Sequence, residues 1–221
     1  MTAAKTRGRT AAGLSGVLLA AASVGIAAAD HAARPSRRHS APPTNARRTG
    51  GEEGEIEKTM RCGLERWDVK TGTDSAAGQV DLTSATPTTI AKLNVIPAPK
   101  SPHARVAPVE TTVYVIHATL TSFKREDDSD YHLALADRNG NEMIAEIPAP
   151  GCARGSSFSA PIAKVRATFD TRYHATAKYK DVNVKVTISG VGFFDKIHNQ
   201  RGVAANGIEL HPLVALTFSS R

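Results

Sequence analysis

Residues 159–174 read SAPIAKVRATFDTRYH, and the fold turns on how that stretch is taken. Ile162, Val165, Phe169 and Tyr173 recur near helical spacing, and Pro161 falls in what would be a first turn, where a missing N–H costs nothing. The stretch therefore predicts one amphipathic helix. On both sides of it the period is two. Upstream, TTVYVIHATLTSF (111–123) is β-branched and aromatic, DYHLALAD (130–137) follows, and the turn DRNGN leads into EMIAEI (142–147). Downstream, VNVKVTI (182–188) alternates with Val182, Val184, Val186 and Ile188 on one face. The last strand, IELHPLVALTF (208–218), is expected to turn Ile208, Leu210, Val214, Leu216 and Phe218 inward and Glu209, His211 and Leu213 outward.

Three strands, a helix and two strands is the order of an OB-fold. The expected class is mainly β: an OB-fold-like five-stranded barrel with one helix between strands 3 and 4, spanning 111–221. Other small barrels and α+β sandwiches share that order. Residues 61–110 are expected to form an irregular N-terminal extension packed on the barrel. TGTDSAAGQ and IPAPKSPHARVAP are loop chemistry, TPTTIAKLNVI starts a short helix capped by Thr86 or Thr88, and Trp67 is the expected anchor.

The N-terminus has a different logic. Lys5, Arg7 and Arg9 precede an uncharged run rich in Ala, Gly and Ser, which reads as a secretory signal peptide over 1–29 rather than a retained anchor. Residues 30–60 hold too few apolar side chains for a core and read as a disordered tether. A secreted or periplasmic location follows, with no transmembrane segment after cleavage and a monomer expected. In that compartment Cys62 and Cys152, the two cysteines of the chain, are expected to pair in a disulfide bond.

The net charge of +7 suggests a polyanion partner, but signal and tether supply most of it. Residues 153–221 still hold ten basic and four acidic residues, so a basic face stays open to single-stranded nucleic acid or an anionic glycan. Within GVGFFDKIHNQRGVAANGIELHP (190–212), Phe193 and Phe194 offer a stacking platform or core packing, with packing favoured. His198, Gln200, Arg201, Asn206, Glu209 and His211 offer ligand contacts, or hydrogen bonds that satisfy the backbone of a long loop. Asp130 and His132 form a second acid–imidazole pair. In the OB order the third strand lies beside the fifth, so Glu142 and Glu146 would share a face with Glu209 and His211. Three oxygens and an imidazole on one face, Glu142, Glu146, Glu209 and His211, are thus candidate ligands for a divalent metal such as calcium or magnesium.

ERWDVKTGTD (65–74), DSDYHLAL (128–135), MIAEIP (143–148) and GVGFFD…HxQxGVAxNGIELHP (190–212) resemble a family of exported bacterial proteins with no assigned activity. Asn199 and Ala205 depart from that pattern, where Gly and Pro are more usual. A looser resemblance joins the DDSD–Y and IAEIP stretches to the metal-binding carboxylates of staphylococcal-nuclease-type OB-folds, with Asp130 and Glu146 in the matching places.

Two functions are carried forward. The first is an OB-like binding module for an extended polyanion such as single-stranded nucleic acid. The second is a divalent-metal-dependent phosphodiesterase on the same face, with Asp130, Glu146 and Glu209 as metal ligands, His198 or His211 as base and Arg201 holding phosphate. A structural or interaction module with no small-ligand site is the third alternative.

Overall fold

A computed structural model describes residues 61–219; the expected signal peptide and tether fall outside the described residues. Six strands form one sheet: β1 (Thr86–Pro87), β2 (Val113–Arg125), β3 (Tyr131–Ala136), β4 (Glu142–Ile147), β5 (Lys180–Phe194) and β6 (Ile208–Phe218). The order is β1-β2-β3-β4-β6-β5, and β5 pairs back onto β2, so β2 to β6 close into a ring. The seams differ in extent. β2 and β5 run antiparallel from Val113↔Val191 to Phe123↔Lys180, whereas β4 and β6 meet in parallel only at Ile144↔Glu209 and Ala145↔Leu210.

Alternation sets the two faces. On β3 and β4, Tyr131, Leu133, Leu135, Met143, Ala145 and Ile147 enter the main core with Ile116, Leu120 and Phe123 of β2. His132 and Glu146, one residue out of phase, face the other way and stand opposite each other in the register. The 159–174 stretch is helical over Ser159–Asp170, between β4 and β5, and buries Ile162, Val165 and Phe169. Phe169 meets Phe123 edge to face at 5.0 Å and Tyr131 at 5.2 Å, closing one end of the core with aromatic contacts.

Residues 61–112 lie against the ring. They hold helix α1 (Trp67–Thr71) and helix α2 (Ile90–Leu93), so that Ser159–Asp170 is α3. Ile90 and Leu93 reach the main core, and Cys62 is bonded to Cys152 in the segment after β4. Arg66 pairs with the fully buried Glu110, whose carboxylate also accepts from the backbone N–H of Val106 and Phe194. No helix among the described residues is long and apolar enough to cross a membrane.

Several expectations need correction. The α2 cap is Thr89, whose hydroxyl accepts from Lys92 N, rather than Thr86 or Thr88; Thr86 instead opens β1, which pairs in parallel with Tyr114 and Val115 before the expected start of the strands. Trp67 is half-buried and flanks a surface pocket, while Val69 beside it is the buried residue. In β6 the inward residue is Leu213, fully buried in the main core, and Val214 packs on a smaller cluster. The register slips on both sides of Gly190, and Pro212 has no N–H to keep a regular ladder. A Cβ at Gly190 would stand 2.8 Å from Leu210 and 2.9 Å from Leu213, so the glycine is what lets those side chains close in.

Candidate metal centre

The polar side chains that β3, β4 and β6 turn outward meet at one place, which the extension covers. Asp130, His132, Glu146, Glu209 and His211 are all buried there. Glu146 is central. Its Oε1 lies 3.2 Å from His132 Nδ1 and its Oε2 2.9 Å from His211 Nδ1. Each imidazole has further carboxylate neighbours: Glu126 at 3.4 Å from His132 Nδ1, and Glu209 at 3.2 Å from His211 Nδ1.

The hydrogen-bond inventory of these rings is constrained. His132 Nε2 is 2.9 Å from the carbonyl oxygen of Arg201, which can only accept, so that nitrogen carries a hydrogen. Nδ1 then faces carboxylates with whatever positive charge it is given. His211 faces carboxylates from both nitrogens, since its Nε2 is 3.4 Å from Asp130 Oδ2. That last contact lacks hydrogen-bond geometry, and both atoms are buried without a partner. The other oxygen of Asp130 accepts from Ala149 N at 3.0 Å.

The electrostatics follow from crowding. Burial alone would depress both histidines, but the carboxylates around them outweigh it: His211 is held well above the usual range by Asp130, Glu146 and Glu209, and His132 is raised by Glu146, the Arg201 carbonyl and Glu126. Burial would raise Glu146, yet the two histidines and Lys70 keep it well below an ordinary carboxyl. Burial and the nearby Glu146 push Glu209 from 4.5 up to about 7. Burial likewise raises Asp130, against the opposing pull of His211. From α1, Lys70 reaches over the centre, 2.9 Å from Asp195; burial would lower its pKa, but Glu209, Glu146 and Asp195 raise it.

Two sets of donors approach closely enough to hold an ion. One atom each from Asp130, Glu146 and His211 lie within 4.8 Å of one another, and so do those of Glu126, His132 and Glu146. Two imidazoles among the carboxylates make this a mixed nitrogen–oxygen set, better suited to manganese or zinc than the all-oxygen shell that calcium and magnesium prefer. Glu126 and Glu146 also line a pocket of about 330 Å³, with Trp67, Lys70, Asp128, Asp195 and His198 around it, so the centre opens to solvent on one side.

Other candidates take different places. Phe193 is fully buried and Phe194 nearly so, which removes both as exposed stacking surfaces; Phe193 instead packs 5.7 Å from the His211 ring, with the Arg66 guanidinium 4.6 Å from its centroid. The Arg201 guanidinium turns to Asp181 at 2.6 Å and to the Tyr179 ring, so only its backbone touches the centre. Asn206 donates to the carbonyls of Leu93 and Ile96, fastening the loop to the extension. His198 is exposed on the pocket rim, and Gln200 lies 3.4 Å from Glu126. Glu142 is exposed at the start of β4, outside the buried cluster. Sequence reasoning missed Lys70 and Glu126. Glu126 lies in the acidic run REDDSD, where nothing ranks one carboxylate above the next, and Lys70 sits in a segment with no period to orient it. No protein-family model, curated protein or solved structure matches the chain.

Proposed function

We propose that this is an exported, OB-like domain that binds a divalent cation through Asp130, Glu146 and His211, with Glu209 beside them. The single observation that carries the reading is the facing pair of Asp130 Oδ2 and His211 Nε2, both buried and both lacking a hydrogen-bond partner, with Glu146 adding a third donor. Leaving buried polar atoms unsatisfied is costly, and a cation between these donors would satisfy them together. The OB-like reading is supported by the closed strand order and by the helix between β4 and β5.

A polyanion on this face fits less well, because Glu65, Glu126, Asp127, Asp128, Glu146 and Asp195 line the pocket and Lys70 is its one lysine. The phosphodiesterase reading keeps the ion but lacks a placed anion contact in Arg201, so cation binding without a committed reaction is preferred.

The test is thermal unfolding and calorimetric titration of chelator-stripped protein with Mn²⁺, Zn²⁺, Mg²⁺ and Ca²⁺. An ion at a hundred times its Kd stabilises the fold by about 2.7 kcal/mol. The expected order puts Mn²⁺ or Zn²⁺ first, and Asp130→Asn and His211→Gln each abolish the shift. If none of the four ions raises the melting temperature above that in EDTA, the reading fails.

A further inference from the structure

Glu146 has a geometry that one ion does not use up. Its two oxygens face different histidines, Oε1 toward His132 Nδ1 at 3.2 Å and Oε2 toward His211 Nδ1 at 2.9 Å, and each histidine has a further carboxylate, Glu126 at the same nitrogen of His132 and Asp130 at the Nε2 edge of His211. We infer that the centre holds two divalent first-row ions bridged by the Glu146 carboxylate, an inner one with Asp130 and His211 and an outer one with Glu126 and His132. This rests on the cation-binding reading above and extends it.

Three independent features support the second position. The first is the orientation of His132. The ring is fully buried and its Nε2–H is committed to the Arg201 carbonyl at 2.9 Å, so Nδ1 is aimed at Glu126 and Glu146. A ring nitrogen fixed by a backbone carbonyl on its far side is the usual support for an imidazole ligand, because it sets the tautomer and the aim of the lone pair. A lone pair facing two carboxylate oxygens is repulsive unless a proton or a metal ion stands between them, and the donor spacings of 3.2 and 3.4 Å suit cis ligands about 2.1 Å from a common ion.

The second feature is charge. Glu126, Asp130, Glu146 and Glu209 are four carboxylates around the two histidines, while Lys70 and Asp195 pair with each other at 2.9 Å. Two dications balance the four carboxylates with both imidazoles neutral. One dication leaves an excess that the buried site must offset with protons. The third is access. Glu126 and Glu146 reach the 330 Å³ pocket whereas Asp130 and His211 are wholly enclosed, so the outer ion is the exchangeable one. Two ions sharing a carboxylate typically sit about 3.5–4 Å apart and clamp an oxygen-rich ligand between them.

Chelator-stripped protein reloaded with Mn²⁺ supplies the test, read by metal content per chain and by electron paramagnetic resonance. Two ions per chain are expected, with the isolated six-line Mn²⁺ signal replaced by that of an exchange-coupled pair at the second equivalent. Glu126 is partly exposed, so Glu126→Gln should fold, retain one ion and show the uncoupled signal; circular dichroism and the melting temperature of the variant check its fold. Glu126→Ala, read in the same way, guards against a weak amide ligand. One ion per chain in the native protein, or two that never couple, overturns the bridged pair and leaves single-ion binding standing. No bound ion at any concentration overturns both. Two coupled ions that persist in both Glu126 variants also overturn the assignment of the outer ligand.

Discussion

Burial and a neighbouring carboxylate make Glu209 easier to keep protonated than to ionise, and this has a consequence for stability. Its folded pKa is about 7 against 4.5 for an ordinary glutamate. Its contribution is therefore fully present below pH 4.5 and is lost as pH rises through 7, because the unfolded chain releases the proton first. A shift of this size corresponds to at most about 3 kcal/mol. Glu209→Gln cannot ionise, so in EDTA the variant should gain on the native protein between pH 5 and pH 8, by several degrees in melting temperature. A constant difference across that range would show that the carboxyl is ionised throughout. Lys70 bears on the same balance from above, since its ammonium lies among Glu146, Glu209 and Asp195 and replaces part of the charge an ion would bring. Lys70→Met should weaken the ion-free fold and, once the fold is formed, tighten cation binding; weaker binding in the variant would mean that the ammonium positions the carboxylates instead of competing at them.

At the scale of elements, what the sequence disclosed depended on whether a period ran long enough to fix a face. β3 and β4 alternate without interruption, so Glu146 was legible on the face it shares with Glu209 and His211, and the position of α3 among the strands set the order that brings β4 beside β6. The phase of β6 was legible only as far as His211. Just beyond it, Pro212 and the slips at Gly190 exchange inside and outside at Leu213 and Val214, before Leu216 and Phe218 return to the main core as expected, and a count of alternate residues carries no sign of where a ladder loses step. Leu213→Ala should accordingly cost about 2–5 kcal/mol and Val214→Ala distinctly less, measured by denaturant unfolding. The reverse ranking would restore the uninterrupted alternation. Loop residues were the least legible. Arg201 and Asn206 have side chains suited to a ligand, yet one pairs with Asp181 and the other holds backbone carbonyls, and their composition is the same in either use.

For the molecule as a whole, the ring is uneven. β2 and β5 share a long ladder, while β4 and β6 are joined by two residue pairs, Ile144↔Glu209 and Ala145↔Leu210. The centre straddles that short seam: His132 and Glu146 stand on one side of it, Glu209 and His211 on the other. A bound cation would then act as a rivet, fastening the ring where its backbone ladder is thinnest. Without the rivet, β4 and β6 are where the ring should gape first, exposing amides that the rest of the circumference keeps shielded. Filling the centre should therefore slow amide hydrogen exchange at Ile144–Glu146 and Glu209–His211 far more than along β2 and β5, so that the ion sets how often the ring breathes.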